Sequence, residues 1–480
     1  MTAPSQVGLR GFGYRPAGAT RWAVRDVDLS IAAGEKVLLL GASGSGKSTL
    51  LRAMAGLLDA GGQSVGDATV DGEPAHSMRE RVGLLLQDPD AGLVLTRAAE
   101  DVAFGPQNRG LPADEVARRV RSALDAVSFG YPDRHPVAAL SGGERQRLAF
   151  AGVLALEPGL LLLDEPTSML DPTGAALVRE AVTAVCEASG CTLVVVEHAV
   201  EHWVDVVNRV VVLGRDGVEA DGDVDQVRRT PAAGTTWLAV PSAAQPKPLA
   251  DPGPALLQAE QVRFCHRGSY RPALELVDVE LTTAVVVALV GDNGSGKTTL
   301  ARLLGGLAAP TSGRVAATPE LNDGVRLPVE PHRWRAPELA GRIGSVFQNP
   351  EHAFITSRVR DELTVGPRAL GRPEPECAAR ADVLLERLRL DQMADQNPFT
   401  LSGGEQRRLS VAAAIATSPR VLILDEPTFG QDPATWREIV QLTASLAAEG
   451  AALAVATHDR RFREAVAHRT LRLEGGGASS

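Results

Sequence analysis

The chain has 480 residues, of which 44% are hydrophobic and 22% are charged, and these proportions are typical of globular proteins with large buried cores. Its net charge of −10 disfavours a nucleic-acid partner, because that binding depends on cationic contacts to phosphate. We expect no membrane span, since no apolar run nears roughly 20 residues, and no signal peptide. The four cysteines form no C-x-x-C pair, which predicts a reduced, intracellular protein without structural zinc.

The first strong motif in chain order is a phosphate-binding loop. An alternating segment, Val24 to Ile31, predicts a strand, and the apolar run 37–40 predicts another. GASGSGKST at 41–49 follows and fits the pattern G-x-x-x-x-G-K-[ST], with a helical pattern after it. The glycines let successive N–H groups point into one concavity, to which the helix N-terminus adds positive charge. We expect Lys47 to reach the β- and γ-phosphates and the Ser48 hydroxyl to hold Mg²⁺.

The next segment combines a short strand with a helical region. The buried strand 83–86 ends at Gln87, whose side chain can sense Mg²⁺ or water without adding charge. Between 100 and 134, helical patterns alternate with prolines, which predicts a small helical insert on an α/β core. The helix breaks are expected at Pro106, Pro112 and Pro132.

Residues 140–147 read LSGGERQR and predict the start of a helix, with Ser141 as its N-cap. Ser141, Gly142 and Gly143 offer small side chains and free N–H groups, which predicts a second anion site. This segment is separate from the span of the phosphate loop. We therefore expect it to act on the γ-phosphate of another nucleotide.

Two later apolar strands end in side chains suited to phosphoryl chemistry. Residues 160–163 lead into Asp164 and Glu165, and Thr192 to Val196 precedes a strand-end His198. Asp164 is expected to bind Mg²⁺ through its water shell, and Glu165 to orient an attacking water. A neutral imidazole at His198 can contact the γ-phosphate and hold that glutamate. Continuous apolar strands that alternate with helices predict a parallel sheet covered on both faces.

The same motifs recur at a nearly constant offset, which indicates two homologous domains. The offset rises from 250 to 261, which places about eleven extra residues in the second copy, within 321–337. We divide the chain into a first domain at 1–230, a Pro- and Ala-rich linker at 231–254, a second domain at 255–474 and a flexible tail at 475–480. The equivalent pairs are Lys47 and Lys297, Gln87 and Gln348, Ser141 and Ser402, Asp164 and Asp425, and His198 and His458.

Together these motifs resemble the ATP-binding domain of ABC transporters, over essentially the whole chain outside the linker and tail. The resemblance implies an α/β fold with two tandem P-loop NTPase domains. Each would have a mainly parallel sheet core, an antiparallel β subdomain and a helical subdomain. The matching elements of the first half are GASGSGKST, Gln87, LSGGERQR, LLLLDEP, Asp171 and His198. Those of the second half are GDNGSGKTT, Gln348, LSGGEQRR, VLILDEP, Asp432 and His458.

The resemblance also implies the ligands and the site residues. Two ATP molecules with Mg²⁺ would lie between head-to-tail halves, each site being completed by the LSGGE segment of the other half. The implied catalytic residues are Glu165, Glu426, His198 and His458. The implied metal-site residues are Ser48, Gln87, Asp164, Thr298, Gln348 and Asp425. The implied nucleotide-binding residues of the first half are Tyr14, Gly41, Ser43, Gly44, Gly46, Lys47, Ser48, Thr49, Gln87, Ser141, Gly142, Gly143, Asp164 and Asp171. Those of the second half are His266, Gly291, Asn293, Gly294, Gly296, Lys297, Thr298, Thr299, Gln348, Ser402, Gly403, Gly404, Asp425 and Asp432.

The second half departs from the family pattern at two places. Tyr14 resembles the aromatic residue that stacks on adenine, whereas the similar position in the second half is His266, which stacks less strongly. The usual Gly-Glu turn before the phosphate-loop strand is replaced by Thr-Thr-Ala at 282–284. This second change affects the predicted start of the strand, not the chemistry.

A narrower resemblance lies after each strand-end glutamine. Segments 87–106 and 348–367, with 429–432, look like those of the energy-coupling-factor ATPases, which serve uptake of vitamins and of cobalt or nickel ions. In that family the segment contacts a transmembrane coupling subunit, and a separate small membrane protein binds the substrate. The resemblance therefore implies an importer ATPase at the cytoplasmic face of the membrane. Two alternatives remain open: a soluble tandem ATPase acting on ribosomes or nucleic acid, and the fused ATPase of a sugar importer.

Overall fold

The structure is a computed structural model, and it describes residues 2–19, 21–42, 44–168, 170, 172–197, 200–214, 216–229, 253–266, 272–428 and 431–479. The chain divides into two compact units, Met1–Val240 and Pro241–Ser480. Most of the predicted linker lies outside the described residues. The expected site residues Ser43, Asp171 and His198 also lie outside them.

Each unit alternates strands and helices in the order that the sequence predicts. The strands of the first unit are β1 (Val7–Arg15), β2 (Val24–Ile31), β3 (Lys36–Gly41), β4 (Gln63–Val70), β5 (Glu73–Pro74), β6 (Val82–Leu85), β7 (Leu160–Asp164), β8 (Thr192–Val196), β9 (Arg209–Gly214) and β10 (Gly217–Gly222). Its helices are α1 (Lys47–Met54), α2 (Ala98–Asn108), α3 (Ala113–Ala126), α4 (Gly142–Leu154), α5 (Pro172–Ser189) and α6 (Val224–Arg229).

The second unit repeats this plan. Its strands are β11 (Ala255–Phe264), β12 (Leu274–Thr282), β13 (Val286–Val290), β14 (Ser312–Ala317), β15 (Ile343–Val346), β16 (Val421–Asp425), β17 (Ala452–Ala456), β18 (Arg469–Glu474) and β19 (Gly477–Ser479). Its helices are α7 (Lys297–Leu304), α8 (Pro319–Asn322), α9 (Ala336–Ala340), α10 (Val359–Ala369), α11 (Glu374–Arg387), α12 (Gly403–Ala416), α13 (Pro433–Ala448) and α14 (Arg460–Val466).

Each unit combines a mainly parallel sheet with a separate antiparallel sheet. In the first unit the six-stranded sheet has the order β10-β9-β3-β8-β7-β6, and the four-stranded sheet has the order β2-β1-β4-β5. In the second unit the orders are β15-β16-β17-β13-β18-β19 and β12-β11-β14. The edge pairs β9–β10 and β18–β19 are antiparallel. The predicted fold class is therefore confirmed.

The central strands are apolar throughout because both faces of the sheet are covered. In β3, Leu38 and Leu40 pack into the core that contains Phe150 of α4. Val37 and Leu39 pack on the opposite face, in the core formed with the antiparallel sheet and α1. Burying each such side chain contributes about 1.5 to 3 kcal/mol. The continuous hydrophobic run thus holds two layers together.

Parallel pairing positions the chemistry at one edge of each sheet. Val196, the last residue of β8, lies opposite Leu39 of β3 and opposite Asp164 of β7. Ala456, the last residue of β17, lies in the same way opposite Leu289 and Asp425. The carboxyl ends of the three strands therefore meet next to the phosphate loop.

One local expectation is wrong. Pro106 does not break a helix but lies inside α2, two residues before its end, so the N–H that proline lacks removes one hydrogen bond in the last turn. The segment 475–480, for which a flexible tail stays a prediction, contains β19, which pairs with β18 through backbone hydrogen bonds. Glycines at 475 and 476 with positive φ make the tight turn between these strands.

The start of the phosphate-loop strand is held by a different side chain in each half. In the first half the N–H of Lys36 donates to Oδ1 of Asn208 at 3.0 Å. In the second half the N–H of Val286 donates to Nδ1 of His468 at 3.0 Å. Burial lowers the pKa of His468 below its usual 6.5. The ring nitrogen accepts this bond only when it is unprotonated.

We predict that His468 makes the stability of the chain depend on pH. Above pH 6.5, His468 is neutral in both states and its contribution is complete. Below that value the unfolded state takes up the proton first, so the free energy of unfolding falls as the pH decreases. His468→Asn, which copies Asn208, should reduce this acid sensitivity. Urea unfolding between about pH 7 and 5 measures the difference. Parallel pH curves for the two proteins would contradict the assignment.

Candidate functional site

The two phosphate loops have the same backbone geometry. Gly46 has φ 93° and Gly296 has φ 101°, a left-handed conformation that favours glycine. A Cβ atom at Gly46 would lie 2.4 Å from the carbonyl oxygen of Ala23, and one at Gly296 would lie 2.4 Å from that of Ala273. The loop can therefore enter α1 or α7 at this angle only with glycine there.

A lysine begins the helix after each loop and folds back over it. Lys47 Nζ donates to the carbonyl oxygens of Gly41 at 2.7 Å and Ala42 at 3.1 Å. Lys297 Nζ donates in the same way to Gly291 at 2.7 Å and Asp292 at 3.0 Å. The ammonium group thus lies in the concavity that faces the helix N-terminus. Together they form an anion site of the kind that takes phosphate.

The strand-end carboxylates lie beside this loop in a strained backbone. Glu165 and Glu426 both have φ 49°, which is uncommon for a residue with a side chain. Their N–H groups donate at 2.9 Å to the carbonyl oxygens of Val196 and Ala456, the last residues of the neighbouring strands. These bonds hold the turn and fix the direction in which each glutamate leaves its strand. The sequence carries no sign of this conformation.

Burial dominates the electrostatics of the acidic pair. It raises the pKa of Asp164 to about 6, while a hydrogen bond from Ser48 opposes the shift and the charge of Glu165 adds to it. Burial also raises the pKa of Asp425, which accepts a hydrogen bond from Thr298 Oγ1 at 3.3 Å. Burial likewise raises the pKa of Glu426, and Lys297 opposes that shift. Neighbouring positive charge would stabilise the ionised forms.

The hydroxyl–carboxylate pairs fit a magnesium ion. Oxygen ligands of this type are what Mg²⁺ prefers, and its remaining ligands are usually water and substrate phosphates. In the described part of the chain, Oδ1 of Asp164 is buried without a hydrogen-bond partner, so one acceptor remains for such an ion. No group of three or more His, Cys, Asp or Glu residues that could hold a metal occurs among the described residues. Ser48 with Asp164, and Thr298 with Asp425, would hold the ion.

The described hydrogen bonds to the two glutamates come from residues that are not equivalent in the two halves. In the first half, Gln87 Nε2 donates to Glu165 Oε2 at 2.9 Å. In the second half, the N–H of His458 donates to Glu426 Oε2 at 3.3 Å. The ring Nε2 of His458 lies 3.0 Å from Oδ1 of Asn293 in the phosphate loop. The structure thus brings together Asn293, Glu426 and His458, three of the residues predicted for the second site.

Each half contains one LSGGE segment, which we call its signature, at which a helix begins, the signature helix. The serine of each signature caps this helix, as predicted for Ser141. The hydroxyl of Ser141 accepts from the N–H of Glu144 at 3.4 Å, and the N–H of Ser141 donates to Glu144 Oε2 at 2.7 Å. Ser402 and Glu405 form the same capping box at 3.5 and 2.8 Å. The two glycines that follow each serine are in the first helical turn. Their role in nucleotide binding stays a prediction.

The two expected adenine-stacking residues differ in exposure. Tyr14 is 5% exposed, its hydroxyl donates to the carbonyl oxygen of Asp59 at 3.3 Å, and its ring packs against Gly62. His266 is exposed and contacts Phe264 edge-on, with ring centroids 5.1 Å apart. Stacking by either ring stays a prediction, and the buried tyrosine offers less free surface than the histidine.

Asp432 acts locally at the start of α13. Its carboxylate accepts from the N–H of Thr435 at 3.0 Å and from the Thr435 hydroxyl at 3.1 Å. This is the pattern of a helix cap. A contact between Asp432 and nucleotide stays a prediction.

Two acidic anchors near the strand-end histidines were not singled out from the sequence. Glu197 Oε1 accepts from the N–H of Thr167 at 3.0 Å. In the second half, Asp459 Oδ2 accepts from the equivalent Thr428 hydroxyl at 3.1 Å and from Trp436 Nε1 at 2.5 Å. The acid stands before the histidine in one half and after it in the other. An acidic residue next to each strand-end histidine is the signal that could have revealed them.

Comparison with known proteins agrees with this geometry. The family profile described as ABC transporter matches residues 24–168 and 274–429, and these two stretches contain the phosphate loops and the strand-end acidic pairs described above. The chain belongs to the ABC transporter family of ATP-binding proteins and carries two copies of its domain.

Individual relatives cover almost the whole chain. It is 34% identical over 95% of its length to a provisionally named ABC transporter ATP-binding protein of Bifidobacterium longum, of which it spans 63%. It is 31% identical over 94% of its length to YkoD of Bacillus subtilis, provisionally named an HMP/thiamine import ATP-binding protein, of which it spans 87%. The solved structure of an RNase-L inhibitor has the same fold, with a TM-score of 0.64, 18% identity and coverage of 97% of this chain and 89% of that one.

We predict that Gly46→Ala removes nucleotide binding from the first half. The new Cβ would meet the Ala23 carbonyl oxygen at 2.4 Å, so the loop must shift and affinity for ATP should fall at least about tenfold. Titration calorimetry should then show one ATP per chain instead of two. Gly110→Ala is the matched control: it also has positive φ, but open space around it, and should cost about 1 kcal/mol of stability without changing binding. Two unchanged sites in Gly46→Ala would refute the prediction.

Proposed function

We propose that the chain is the ATP-hydrolysing subunit of a membrane importer of the energy-coupling-factor type. The observation that carries the proposal is the doubled site, in which each half joins a phosphate loop to a buried strand-end Asp–Glu pair. The name of the Bacillus relative, an HMP/thiamine import ATP-binding protein, supports uptake of a vitamin or a vitamin precursor, whereas uptake of a cobalt or nickel ion is proposed from the family resemblance alone. Among the described residues, no helix has the length and hydropathy of a membrane span. We propose that the chain associates with the membrane peripherally, through partner subunits at the cytoplasmic face.

Each half carries the side chains that ATP hydrolysis requires. The loop N–H groups and the lysine bind the triphosphate, and the lysine places positive charge on the β- and γ-phosphates. Glu165 and Glu426 are the groups that orient an attacking water, since each leaves its strand beside the loop. Bound Mg²⁺ would neutralise developing negative charge on the phosphates. The hydrogen bond from the N–H of His458 to Glu426 supports the assignment of His458 as the residue that holds this glutamate, and we assign the same task to His198.

We call segments 87–106 and 348–367 the docking segments, since we propose that they contact a membrane partner. A buried carboxylate shapes each of them. Asp101 Oδ1 on α2 accepts from the N–H groups of Val94 at 2.7 Å and Leu95 at 2.6 Å. Glu362 Oε1 on α10 accepts from the N–H groups of Ile355 and Thr356. Hydrogen bonds to a buried charge contribute about 1.5 to 3 kcal/mol each. The same device occurs twice, so both loops are held in one shape.

These clamped loops present apolar side chains to solvent. Val94 is 61% exposed and its equivalent Ile355 is 73% exposed. Exposed apolar side chains on a rigid loop suit contact with an apolar partner surface. We assign them to a transmembrane coupling subunit, beside which a separate membrane protein would bind the substrate. The proposal also includes closure of the two halves, head to tail, over two ATP molecules. This part is supported by the family resemblance alone.

The alternative is a tandem ATPase that acts on ribosomes or nucleic acid. The likeness to the RNase-L inhibitor shows the fold alone, since identity is 18%. The net charge of −10 disfavours binding to polyanions. Salt-sensitive RNA or ribosome binding would favour this alternative over the importer. The ATPase of a sugar importer stays a third candidate. The segments that follow Gln87 and Gln348 disfavour it, because they resemble those of the energy-coupling-factor ATPases.

We predict that Glu165→Gln and Glu426→Gln each reduce ATP turnover sharply while ATP still binds. The double variant should lose about 100-fold or more, because the amide cannot act as a base. Phosphate release measures turnover, and a fluorescent ATP analogue measures binding. Glu464→Gln, at an exposed position, is the control and should match wild type. If one single variant turns over ATP at the wild-type rate, and the double variant equals the other single one, that site is not catalytic.

We predict that Val94→Asp combined with Ile355→Asp releases the membrane partner. A charge at each clamped loop would have to be desolvated against an apolar surface, so co-purification from membranes should fall about tenfold or more. Val329→Asp, at a residue 50% exposed elsewhere in the second unit, is the control and should retain the partner. ATP binding should be the same in the double variant, the control and the wild-type protein. Retention of the partner by the double variant would rule out this docking surface.

A further inference from the structure

Arg407 is a buried cation that the sequence pattern does not single out. It lies on α12, the helix that begins with the second signature, and is 3% exposed. Its Nη1 donates to the carbonyl oxygen of Phe347 at 2.7 Å, and its Nη2 donates to that of Gln348 at 2.6 Å. The guanidinium group therefore ties the signature helix to the backbone just after β15, at the strand-end glutamine.

The charge of Arg407 has counter-charges nearby. Burial lowers the pKa of Arg407 to about 10, and the carboxylates of Glu426 and Asp425 act in the opposite direction. The side chain is therefore cationic at neutral pH. A buried cation is expensive unless it is paired and hydrogen-bonded. Here two backbone carbonyl oxygens accept hydrogen bonds from the guanidinium group, and the two carboxylates provide the opposite charge.

The first half is built differently at the equivalent position. Gln146 occurs 261 residues earlier (407 − 261 = 146), is fully buried, and donates to the carbonyl oxygen of Glu165 at 3.2 Å. There the side chain of Gln87 bonds the Glu165 carboxylate. Across the described second half, no hydrogen bond joins the exposed Gln348 side chain to Glu426. One half thus holds its glutamine by the side chain, and the other holds it by the backbone.

We propose that Arg407 is a positioning residue that fixes the backbone at Gln348 to the second signature helix and so makes the two ATP sites unequal. In the first half, Gln87 and Glu165 form one hydrogen-bonded unit that nucleotide must rearrange. In the second half, Gln348 is held from its backbone and its side chain stays free for water or Mg²⁺. Through the carbonyl oxygen of Gln348, Arg407 also links the signature helix to the first residue of the segment 348–367. This inference rests on the proposed ATPase function and names a source of asymmetry within it.

Hydrogen exchange tests the positioning role without any need for ATP turnover. In nucleotide-free full-length protein, Arg407→Gln should speed amide exchange at residues 347–354 about tenfold, because two charge-assisted bonds are lost. Arg407→Lys should restore most of the protection. Arg380→Gln is the matched control, since Arg380 is a half-buried arginine that donates to the carbonyl oxygen of Ile415 on the same helix at 3.0 Å. It should leave residues 347–354 unchanged.

Steady-state kinetics in the Glu165→Gln background reports on the second site. Arg407→Gln should lower kcat about tenfold and change KM less than about twofold, since the loop and lysine still bind the triphosphate. Arg407→Lys should recover most of kcat, and Arg380→Gln should have no effect. Equal losses in kcat for Arg407→Gln and Arg380→Gln would reduce Arg407 to a general packing residue.

The two measurements separate failure of this inference from failure of the proposed function. Unchanged exchange at 347–354 in Arg407→Gln overturns the positioning role, whatever the kinetics. If Glu165→Gln alone abolishes all ATP turnover, the second site does not hydrolyse ATP when the first is inactive and that part of the proposed function is wrong, while the exchange experiment still decides the role of Arg407. Faster exchange with an unchanged kcat overturns the claim that this contact makes the sites unequal.

Discussion

Both candidate sites depend on the parallel pairing of three strands. Because Leu39 and Asp164 both lie opposite Val196, the phosphate loop and the acidic pair end at one edge of the sheet. A shift of one residue in this register would turn each strand-end side chain to the opposite face. Fully buried apolar strands prevent such a shift, since both layers of the core would lose their packing. Hydrophobic burial thus sets the geometry on which the phosphate chemistry depends.

The edge so defined contains features that are unfavourable on their own. Glu165 and Glu426 adopt a left-handed backbone, and burial raises the pKa of Asp164 and of Glu426. Such features persist only where the surrounding structure holds them in place. The hydrogen bonds from the glutamate N–H groups to the neighbouring strands do this, with the lysine charge nearby. A site arranged in this way is prepared for a polyanion and a cation before either one binds.

The internal duplication shows which contacts define the fold and which are adjustable. Capping boxes, loop glycines and buried clamps occur in both halves with the same partners. At other positions the two halves use different residues for the same contact region. His468 stands in the second half where the first has Asn208, and Arg407 stands where the first has Gln146. The acidic anchor also moves from before the histidine, Glu197, to after it. These exchanges lie around the conserved geometry, so the halves can differ in behaviour without differing in fold.

The sequence by itself determined the fold class, the duplication, the strand order along the chain and the residues of both phosphate loops. Glycine spacing, apolar runs and helix caps are local and follow from the chemistry of adjacent residues, the duplication follows from their recurrence, and the full fold class follows from the resemblance to the ATP-binding domain of ABC transporters. It could not show that Glu426 has a left-handed backbone, that Tyr14 is buried, or that Arg407 holds the backbone at Gln348. These facts join segments as far apart as 348 and 407, and only packing of the sheet against its helices brings such segments together. Tertiary structure thus decided how two similar sequences make two different surroundings for the same chemistry.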